Sequence, residues 1–324
     1  TCLEANLHYP VDWVLLRDVS RTLLKAIKLI RGGGLLNRME QTPEKLAGEM
    51  NRLCIEITHT HRRKDGRKRR KALLRKMKRL LKRIGTHAAR HRDLLREHHE
   101  QTRWSKPQAQ RIIARIEAKL EQIPHVIRQA HERIIGGRKV ASKDKILSAH
   151  EKDLHTLVRN KAGKAVEFGS GLLLAESPCG LILDYHLYKD APPADTQKLT
   201  ESLQRQQAMD IAQELDAVVG DRGFDSRQMD RELIDGAIVN LICPRDPAKL
   251  KELMSDETFA LMQKRRGGTE ARIAIFKNKG GGRVCRAKGF THRAIAVGFG
   301  VLAHNLWLLA RMLAAQKQPA SKAA

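Results

Sequence analysis

The chain has 324 residues, 41% of them hydrophobic, which is enough for one large domain or two smaller ones with a real core. It carries 62 Lys and Arg against 36 Asp and Glu, a formal net charge of +26, which favours a polyanionic partner, and nucleic acid before membrane. Five scattered cysteines without a C-x-x-C pair indicate reduced thiols in a cytosolic protein and no zinc site, and no apolar run is expected to reach the length of a membrane span.

The first half of the chain is predicted to be almost entirely helical after a short extended segment at residues 1–10. From residue 11 to about 155, apolar residues recur every three or four positions, as they do in amphipathic helices. Thr42 is expected to cap a helix that begins at Pro43, because proline suits the first helical position. One apolar stripe lies within strongly basic sequence and consists of Leu73, Met77, Leu80 and Ile84. These patterns predict a basic region of antiparallel helices over 11–155.

Residues 62–83 are the most concentrated basic run in the chain, with fourteen Lys and Arg and one acidic residue. Because the apolar stripe would anchor this run on the protein, we expect its charges to contact DNA phosphates. The candidate contacts are four consecutive basic residues, Arg67, Lys68, Arg69 and Arg70. The alternative is that the run is only the solvated face of a helix.

After residue 162 the pattern changes from helices to short strands, and then to alternating helices and strands. The predicted hairpin strands are 166–168, 171–175 and 181–188. The predicted elements that follow are helix 195–215, strand 217–220, helix 227–234, strand 237–242, helix 259–277 and helix 292–313. This order predicts an α/β fold over 156–316, with a mixed sheet flanked by helices, and a disordered tail at 317–324. The apolar stripe of the last helix is expected to lie in the core.

The most informative segment is 218–226, in which an apolar strand runs directly into Gly-Asp-Arg-Gly-Phe. Asp221 is thereby placed at the carboxyl end of a strand, which is where ligands bind in open α/β sheets. Asp225 is expected to cap the next helix, with Gln228 completing a capping box. The alternative for Asp221 is a structural role, in which it caps the turn or pairs with Arg222.

A second functional carboxylate is expected on the helix that follows the next strand. Phosphoryl transfer on nucleic acids commonly uses two divalent ions held by about three carboxylates. Glu270 is the best candidate, with Arg266 four residues before it and Lys277 seven residues after it. If the helix continues through Gly267–Gly268, these side chains share one face and place cations for phosphate beside a carboxylate for metal. The alternative is that all three are ordinary solvated charges on a helix.

These segments resemble the catalytic domain of insertion-sequence transposases of the DDE class, which has an RNase H-like fold. One large group of that class carries the signature Y-(2)-R-(3)-E-(6)-K, and its R, E and K positions are occupied here by Arg266, Glu270 and Lys277. Gln263 stands at the tyrosine position, which is a departure from the signature. The sequence around Asp221 resembles the G-D-R/K-G-Y/F box of the second Asp. The opening TCLEANLHYPVDW resembles the stretch that follows the first Asp, and the resemblance covers nearly the whole chain.

The resemblance implies a DNA transposase that catalyses Mg²⁺-dependent cleavage and strand transfer of a mobile element. Asp221 and Glu270 would hold metal, with two Mg²⁺ ions expected and Mn²⁺ able to substitute. Arg266 and Lys277 would contact DNA phosphates near the cut. The partners would be double-stranded DNA, both element ends and target, and a second copy of the chain in a homodimer on DNA, with no membrane. The region 11–155 would be a helical insertion after the first strand, and the protein would act in the prokaryotic cytoplasm at the nucleoid.

The first Asp of the family pattern is expected just upstream of Thr1, so that this chain would be a fragment with two of three metal-binding carboxylates. Asp184 is the internal alternative, but residues 190–216 are too few to hold the strands that should separate it from Asp221. A truncated, non-catalytic DNA-binding remnant of a transposase is the second hypothesis. An RNase H-like nuclease that hydrolyses DNA without strand transfer is the third.

Overall fold

The structure is a computed structural model that describes residues 1–5, 11–161, 164–209, 215–281 and 284–317. Contacts within the chain divide it into two units. The helical unit is Leu7–Lys152, and the α/β unit consists of Thr1–Asn6 together with Asp153–Ala324. Segment 6–10 and the tail 318–324 lie outside the described residues.

The helical unit contains helices α1 at Asp12–Gly32, α2 at Pro43–Thr58, α3 at Gly66–His98 and α4 at Lys106–Ala130. The predicted start of α2 is confirmed, since Thr42 Oγ1 accepts a hydrogen bond from Lys45 N at 3.3 Å and Pro43 is the first helical residue. Helix α1 packs against each of the other three, and α3 packs against both α2 and α4. The helical prediction for this part of the chain is therefore confirmed.

One continuous apolar core lies between these four helices. The stripe predicted within the basic run is buried, with no member more than 4% exposed: Leu73, Met77, Leu80 and Ile84. These residues belong to a cluster with apolar side chains of α1, α2 and α4. Burying one such side chain contributes about 1.5–3 kcal/mol, so the stripe fixes α3 in place and leaves its Lys and Arg residues on the remaining faces.

The α/β unit contains an antiparallel sheet of β1 at Cys2–Glu4, β2 at His155–Lys161, β3 at Lys164–Glu176 and β4 at Ile182–Leu187. Strand β3 pairs with each of the other three. The two strands predicted at 166–168 and 171–175 are one continuous strand, β3. Glycine explains the difference, because a Cβ on Gly169 would lie 2.0 Å from the carbonyl oxygen of Leu3. Only glycine therefore lets β1 approach β3 at this position.

A parallel strand pair carries the Gly-Asp-Arg-Gly-Phe segment. Strand β5, Ala217–Gly220, pairs in parallel with β6, Val239–Ile242, so that Gly220 lies opposite Ile242. Helix α6, Arg227–Asp235, connects the two strands and completes a β-α-β unit. The predicted strand, helix and strand in this region are confirmed to within two residues at each end.

The predicted single mixed sheet is found as two sheets in the described part of the chain, because β5 and β6 form a separate pair. The edge of β1 opposite β3 is occupied by another segment, since Cys285 N donates to Glu4 O at 2.8 Å and Ala5 forms an isolated parallel bridge with Cys285. The segment at Cys285 therefore occupies the edge of β1 at which another parallel strand would have to pair to extend the sheet. The architecture is mixed α/β, with two small sheets and many helices.

The other described helices of the α/β unit are α5 at Asp195–Ala208, α7 at Pro247–Leu253, α8 at Glu257–Ile275 and α9 at Phe290–Lys317. Helix α5 was predicted to continue to residue 215, and residues 210–214 lie outside the described residues. Helices α8 and α9 match the helices predicted at 259–277 and 292–313 to within four residues at each end. Helix α8 packs on β5 and β6, and α9 packs on β4.

The apolar sequence of α9 predicted a core helix, but only part of α9 is buried. It packs through one face, where Val297 is 1% exposed and the Asn305 side chain binds the backbone N and O of Ile182. Many of its large apolar side chains are at least 39% exposed, including Ile295, Phe299, Leu302, Leu306, Leu309 and Leu313. The helix is also long and apolar enough over Phe290–Gln316 to cross a membrane, with 22% of its most apolar window buried. The expectation that no segment reaches that length is therefore wrong.

Candidate active site

Asp221 lies directly after β5, at the carboxyl end of the parallel strand pair, and its side chain is exposed. Its Oδ1 accepts a hydrogen bond from Gly223 N at 2.9 Å. Asp221 therefore does cap its turn, as the structural alternative expected, but this uses only one carboxylate oxygen. Within the described residues Asp221 forms no salt bridge, so the alternative of a pair with Arg222 is not found.

The backbone of the Asp221 turn is held by Arg245, which follows the end of β6. Arg245 Nε donates to Arg222 O at 3.0 Å, and its Nη2 donates to Gly223 O at 3.3 Å. The sequence interpretation missed Arg245. A signal was available, because the residues that follow two paired parallel strands lie at the same edge of the sheet.

The cap of helix α6 is Ser226, and the prediction that Asp225 caps it is wrong. Ser226 Oγ accepts a hydrogen bond from Met229 N at 3.1 Å. Asp225 Oδ2 instead accepts from Arg245 N at 2.7 Å, and Gln228 binds a neighbouring glutamate on α6. The physical reason is that Asp225 ties the loop after β5 to the loop after β6, which leaves the next residue to cap the helix.

A second carboxylate, Asp195, lies beside Asp221 across Gly223. A Cβ on Gly223 would lie 2.7 Å from Asp195 Oδ2 and 3.0 Å from Asp221 Oδ1. Asp195 is at the start of α5, and its other oxygen accepts a hydrogen bond from Lys198 Nζ at 2.6 Å. The sequence interpretation missed Asp195, because nothing local in the sequence relates the start of α5 to the β5 turn. Glycine at 223 provides the space in which the two carboxylates approach each other.

Gln263, which occupies the tyrosine position of the family signature, connects α8 to the parallel sheet. Its Nε2 donates to Leu241 O in β6 at 2.7 Å, and its Oε1 accepts from Arg266 Nε at 2.9 Å. The departure from the signature therefore has a defined structural role here. Gln263 holds the Arg266 guanidinium in one orientation relative to β6.

Glu270 lies one helical turn after Arg266 on α8, and its side chain is exposed. The helix continues unbroken through Gly267–Gly268, so the condition for Arg266 and Glu270 to share a face is met. The α-helix ends at Ile275, and Lys277 lies in a π-helical segment, so its direction does not follow from α-helical spacing.

The same part of α8 is joined to β3 through Glu176. Thr269 Oγ1 and Arg272 Nε each donate a hydrogen bond of 2.7 Å to the Glu176 carboxylate. The hydrogen bond to Glu176 raises the pKa of Arg272 above its usual value, because the carboxylate stabilises the guanidinium cation. These contacts fix the segment of α8 that carries Glu270, although Glu270 itself is left on the surface.

Asp221 and Glu270 supply the carboxylate oxygens that Mg²⁺ prefers. However, the described residues contain no group of three or more His, Cys, Asp or Glu side chains placed to hold a metal ion. Asp221 also uses one oxygen to cap its turn. The donor chemistry fits Mg²⁺, but the described residues do not by themselves form a complete metal site.

Asp184, the internal alternative to the first Asp, is buried in an ion pair between β4 and α5. Its carboxylate accepts hydrogen bonds from Ser202 Oγ at 2.6 Å and from Arg205 Nη2 at 2.8 Å. Burial alone would raise the pKa of Asp184, but the hydrogen bonds from Arg205 and Ser202 outweigh burial and hold the pKa below its usual value. This arrangement describes a structural ion pair.

The predicted DNA contacts on α3 have different environments in the helical unit. Arg69 forms a salt bridge with Glu56, and Lys68 is exposed. Arg67 and Arg70 line a cleft together with Arg63 of the same run and with Arg133, which follows α4. The positions 67–70 thus contain two residues that face a common cleft and two that do not.

No protein-family model, curated protein or solved structure matches this chain. Only the residues of the chain itself therefore indicate its function. Those residues are the carboxylate after a parallel strand, the arginine that holds its turn, and the helix that carries Arg266 and Glu270 over the same two strands.

Proposed function

We propose that this protein is a DDE-type transposase that cleaves the ends of a mobile DNA element and joins them to target DNA. The proposal includes an RNase H-like catalytic domain in the α/β unit. The observation that supports it most strongly is the position of Asp221, which follows a parallel strand at the edge where such sheets bind ligands. Helix α8 packs on the same two strands and carries Arg266 and Glu270 at the spacing of the transposase signature.

The charge of the chain supports DNA as the substrate. A formal net charge of +26 on 324 residues creates a field that attracts a polyanion and raises its association rate. Fourteen of the basic residues lie in the 62–83 run, and the buried stripe of α3 directs them away from the core. Double-stranded DNA is therefore the proposed partner, and a homodimer on DNA is proposed from the family resemblance.

Each of the site residues would have a distinct role in this reaction. Asp221 and Glu270 would bind Mg²⁺, which when bound stabilises charge on the attacking and leaving oxygens of a phosphodiester. Arg266, held by Gln263, would bind a phosphate in a preset orientation, and Lys277 would bind a second phosphate. Arg245 would keep Asp221 at the strand end by holding the backbone of its turn.

A non-catalytic DNA-binding protein is the second candidate function. The observation that favours it is that the described residues contain no group of three side chains that could hold a metal ion. Such a protein would bind element ends without cutting them. DNA binding alone does not distinguish the two candidates, so cleavage has to be measured.

The test compares Asp221→Asn and Glu270→Gln with two control variants in the full-length protein. The controls are Asp235→Asn at the end of α6 and Glu257→Gln at the start of α8, both of which change exposed acids. Because metal stabilisation contributes several kcal/mol to such reactions, Asp221→Asn and Glu270→Gln should each lower Mg²⁺-dependent cleavage by roughly 10³-fold. End binding should stay unchanged, and the controls should cleave normally. Cleavage retained by either site variant would overturn its assignment.

A further inference from the structure

The helical unit contains a cleft of about 470 Å³ lined by basic side chains. The cleft lies between the start of α3, the segment before it, and the segment after α4. Its charged and titratable lining residues are Arg63, Arg67, Arg70, Arg133 and His61. Only Arg67 and Arg70 belong to the contacts predicted from the basic run. Arg63 lies in the same run and His61 just before it, whereas Arg133 joins them only in the folded chain.

One wall of the cleft is a tight turn that requires glycine. A Cβ on Gly66 would lie 2.1 Å from Thr60 O, so a side chain here would displace the backbone. The buried Thr60 accepts a hydrogen bond from Arg70 Nε at 3.1 Å through its Oγ1. The Arg70 guanidinium also lies 5.8 Å from the centre of the Trp13 ring. Arg70 is thus held in place, and no carboxylate among the described residues pairs with it.

On the opposite wall, a buried acid, Asp12, fixes the position of Arg133. Asp12 is 4% exposed. Asp12 Oδ1 accepts hydrogen bonds from Arg133 Nη1 at 2.9 Å and from Gln129 Nε2 at 3.0 Å. Gln129 in turn binds the backbone of Ile146. This network fixes the orientation of Arg133, and Asp12 neutralises only one of the four arginines.

Arg63 and Arg67 are exposed and make no hydrogen bond or salt bridge through their side chains within the described residues. The Arg67 guanidinium reaches the Gly137 side of the cleft, where a Cβ on that glycine would lie 3.8 Å from Arg67 Nη2. Arg67 also lies in the first turn of the 33-residue helix α3, whose backbone N–H groups and dipole favour an anion. Two positioned arginines and two unengaged ones therefore surround one space with a net positive charge.

We propose that this cleft binds a backbone phosphate of double-stranded DNA and thereby anchors the helical unit on its substrate. The guanidinium groups of Arg63 and Arg67 donate to the phosphate oxygens, because a planar fork of donors matches a phosphate better than an ammonium does. Arg70 and Arg133 add positive charge from fixed positions. Other exposed basic residues continue from the cleft, with Lys64 just before α3 and Lys68, Arg75 and Arg79 along it. This continuity favours a polyanion over a small free anion.

The proposal relies on the proposed function for the choice of DNA as the ligand, but its test does not require catalysis. The test measures binding of a double-stranded DNA fragment by fluorescence anisotropy over a range of salt concentrations. It compares Arg63→Ala/Arg67→Ala with Arg75→Ala/Arg79→Ala in the full chain. Arg75 and Arg79 are exposed on the same helix but do not line the cleft, so both double variants make the same change in net charge.

The cleft pair should lower affinity at physiological salt by roughly tenfold more than the control pair. It should also reduce the slope of log K against log salt by about 0.9, which is the contribution of the one phosphate contact that is lost. Equal effects of the two pairs, or an unchanged slope, would overturn the proposal. So would a cleft pair that loses binding to anionic phospholipid vesicles while DNA binding is unchanged.

The two proposals can fail separately. If Asp221→Asn still cleaves DNA while the cleft pair weakens DNA binding as expected, the active-site assignment fails and the cleft proposal stands. If the cleft pair binds like the control pair while Asp221→Asn abolishes cleavage, only the cleft proposal fails.

Discussion

The two units of the chain differ in how they bury apolar side chains and in where they place functional groups. The helical unit has one continuous core to which all four of its helices contribute. The α/β unit has two smaller clusters, one around Leu3 and Val297 and one around Met229 and Leu233. Its candidate catalytic residues lie on an exposed turn and on helix α8. Phe259 is the one residue of α8 that is described as buried.

This difference shows that the two units are stabilised by different interactions. The helical unit relies on dispersion and the hydrophobic effect along amphipathic stripes, so its charged surface can vary without loss of the core. The α/β unit depends more on specific hydrogen bonds that connect distant elements, such as Arg245 with the Asp221 turn and Arg272 with Glu176. Apart from the buried Asp12–Arg133 pair of the helical unit, single polar substitutions should therefore damage the α/β unit most, and single apolar truncations should damage the helical unit most.

Arg205→Ala should give the largest effect of a polar substitution in the α/β unit. It leaves the buried Asp184 without its cation, which costs about 3–5 kcal/mol of unfolding free energy for a buried pair. The folded-state pKa of Asp184 is held below its usual value, so its contribution to stability is present above the unfolded pKa of about 3.9 and is lost as pH falls further. Without Arg205, burial raises the pKa of Asp184, so protonation of Asp184 then favours the folded state, and the stability lost in Arg205→Ala should be largest near neutral pH and shrink as pH falls. Denaturant unfolding of the variant and the unsubstituted protein at several pH values checks this, and a loss of stability that stays constant as pH falls would count against it.

Leu74→Ala should give the corresponding effect of an apolar truncation in the helical unit. Leu74 is fully buried, and truncating such a leucine typically lowers the free energy of unfolding by about 2–5 kcal/mol. Leu36→Ala is the matched control, because Leu36 is 68% exposed in the same unit and should change stability by less than about 0.5 kcal/mol. Denaturant unfolding of both variants checks the difference. Similar losses for the two leucines would show that the helical core is not where the structure places it.

His91→Leu should have the smallest effect of the three, and its effect should depend on pH. His91 is fully buried on α3, and burial lowers its pKa below the usual value, so it is neutral in the folded state. The unfolded chain then binds more protons, and stability should fall as pH drops below about 6.5. Removing the imidazole should flatten this fall between pH 7 and pH 5, whereas His98→Leu, at an exposed position on α3, should not. If both variants lose stability over this range as the unsubstituted protein does, His91 is not the group that titrates.

The elements of the fold that sequence could predict are those set by neighbouring residues. The start of α2 depends on Thr42 and Pro43, and the β5–α6–β6 order depends on a short apolar run followed by a glycine turn. The stripe of α3 follows from helical periodicity alone. Asp221 could be singled out for the same reason, because its place at a strand end is a local property.

The features that sequence could not predict depend on residues far apart in the chain. Strand β3 is continuous because Gly169 admits the backbone of Leu3, and the sheet is divided because Cys285 occupies the edge of β1. Asp195 approaches Asp221 only through the packing of α5 near the β5 turn. No local pattern encodes these contacts, so they follow only from the folded chain.

The basic cleft shows the same limit in the helical unit. The run 62–83 indicated where positive charge is concentrated, but it did not distinguish Arg67 from Arg69. The fold makes that distinction, because Arg69 pairs with Glu56 while Arg67 faces a cleft completed by Arg133, far along the chain. Charge density was therefore predictable from sequence, and the binding geometry was not.

The most direct test of the central claim is a strand-transfer assay with the full-length protein. Element-end DNA, a supercoiled target plasmid and Mg²⁺ are incubated with the unsubstituted protein and with Asp221→Asn. We predict that the unsubstituted protein joins the cleaved 3′ end covalently to the target and that Asp221→Asn forms neither cleaved nor joined product. Cleavage without joining would instead indicate a hydrolytic nuclease, and joined product formed by Asp221→Asn would contradict the assignment of Asp221 as a catalytic carboxylate.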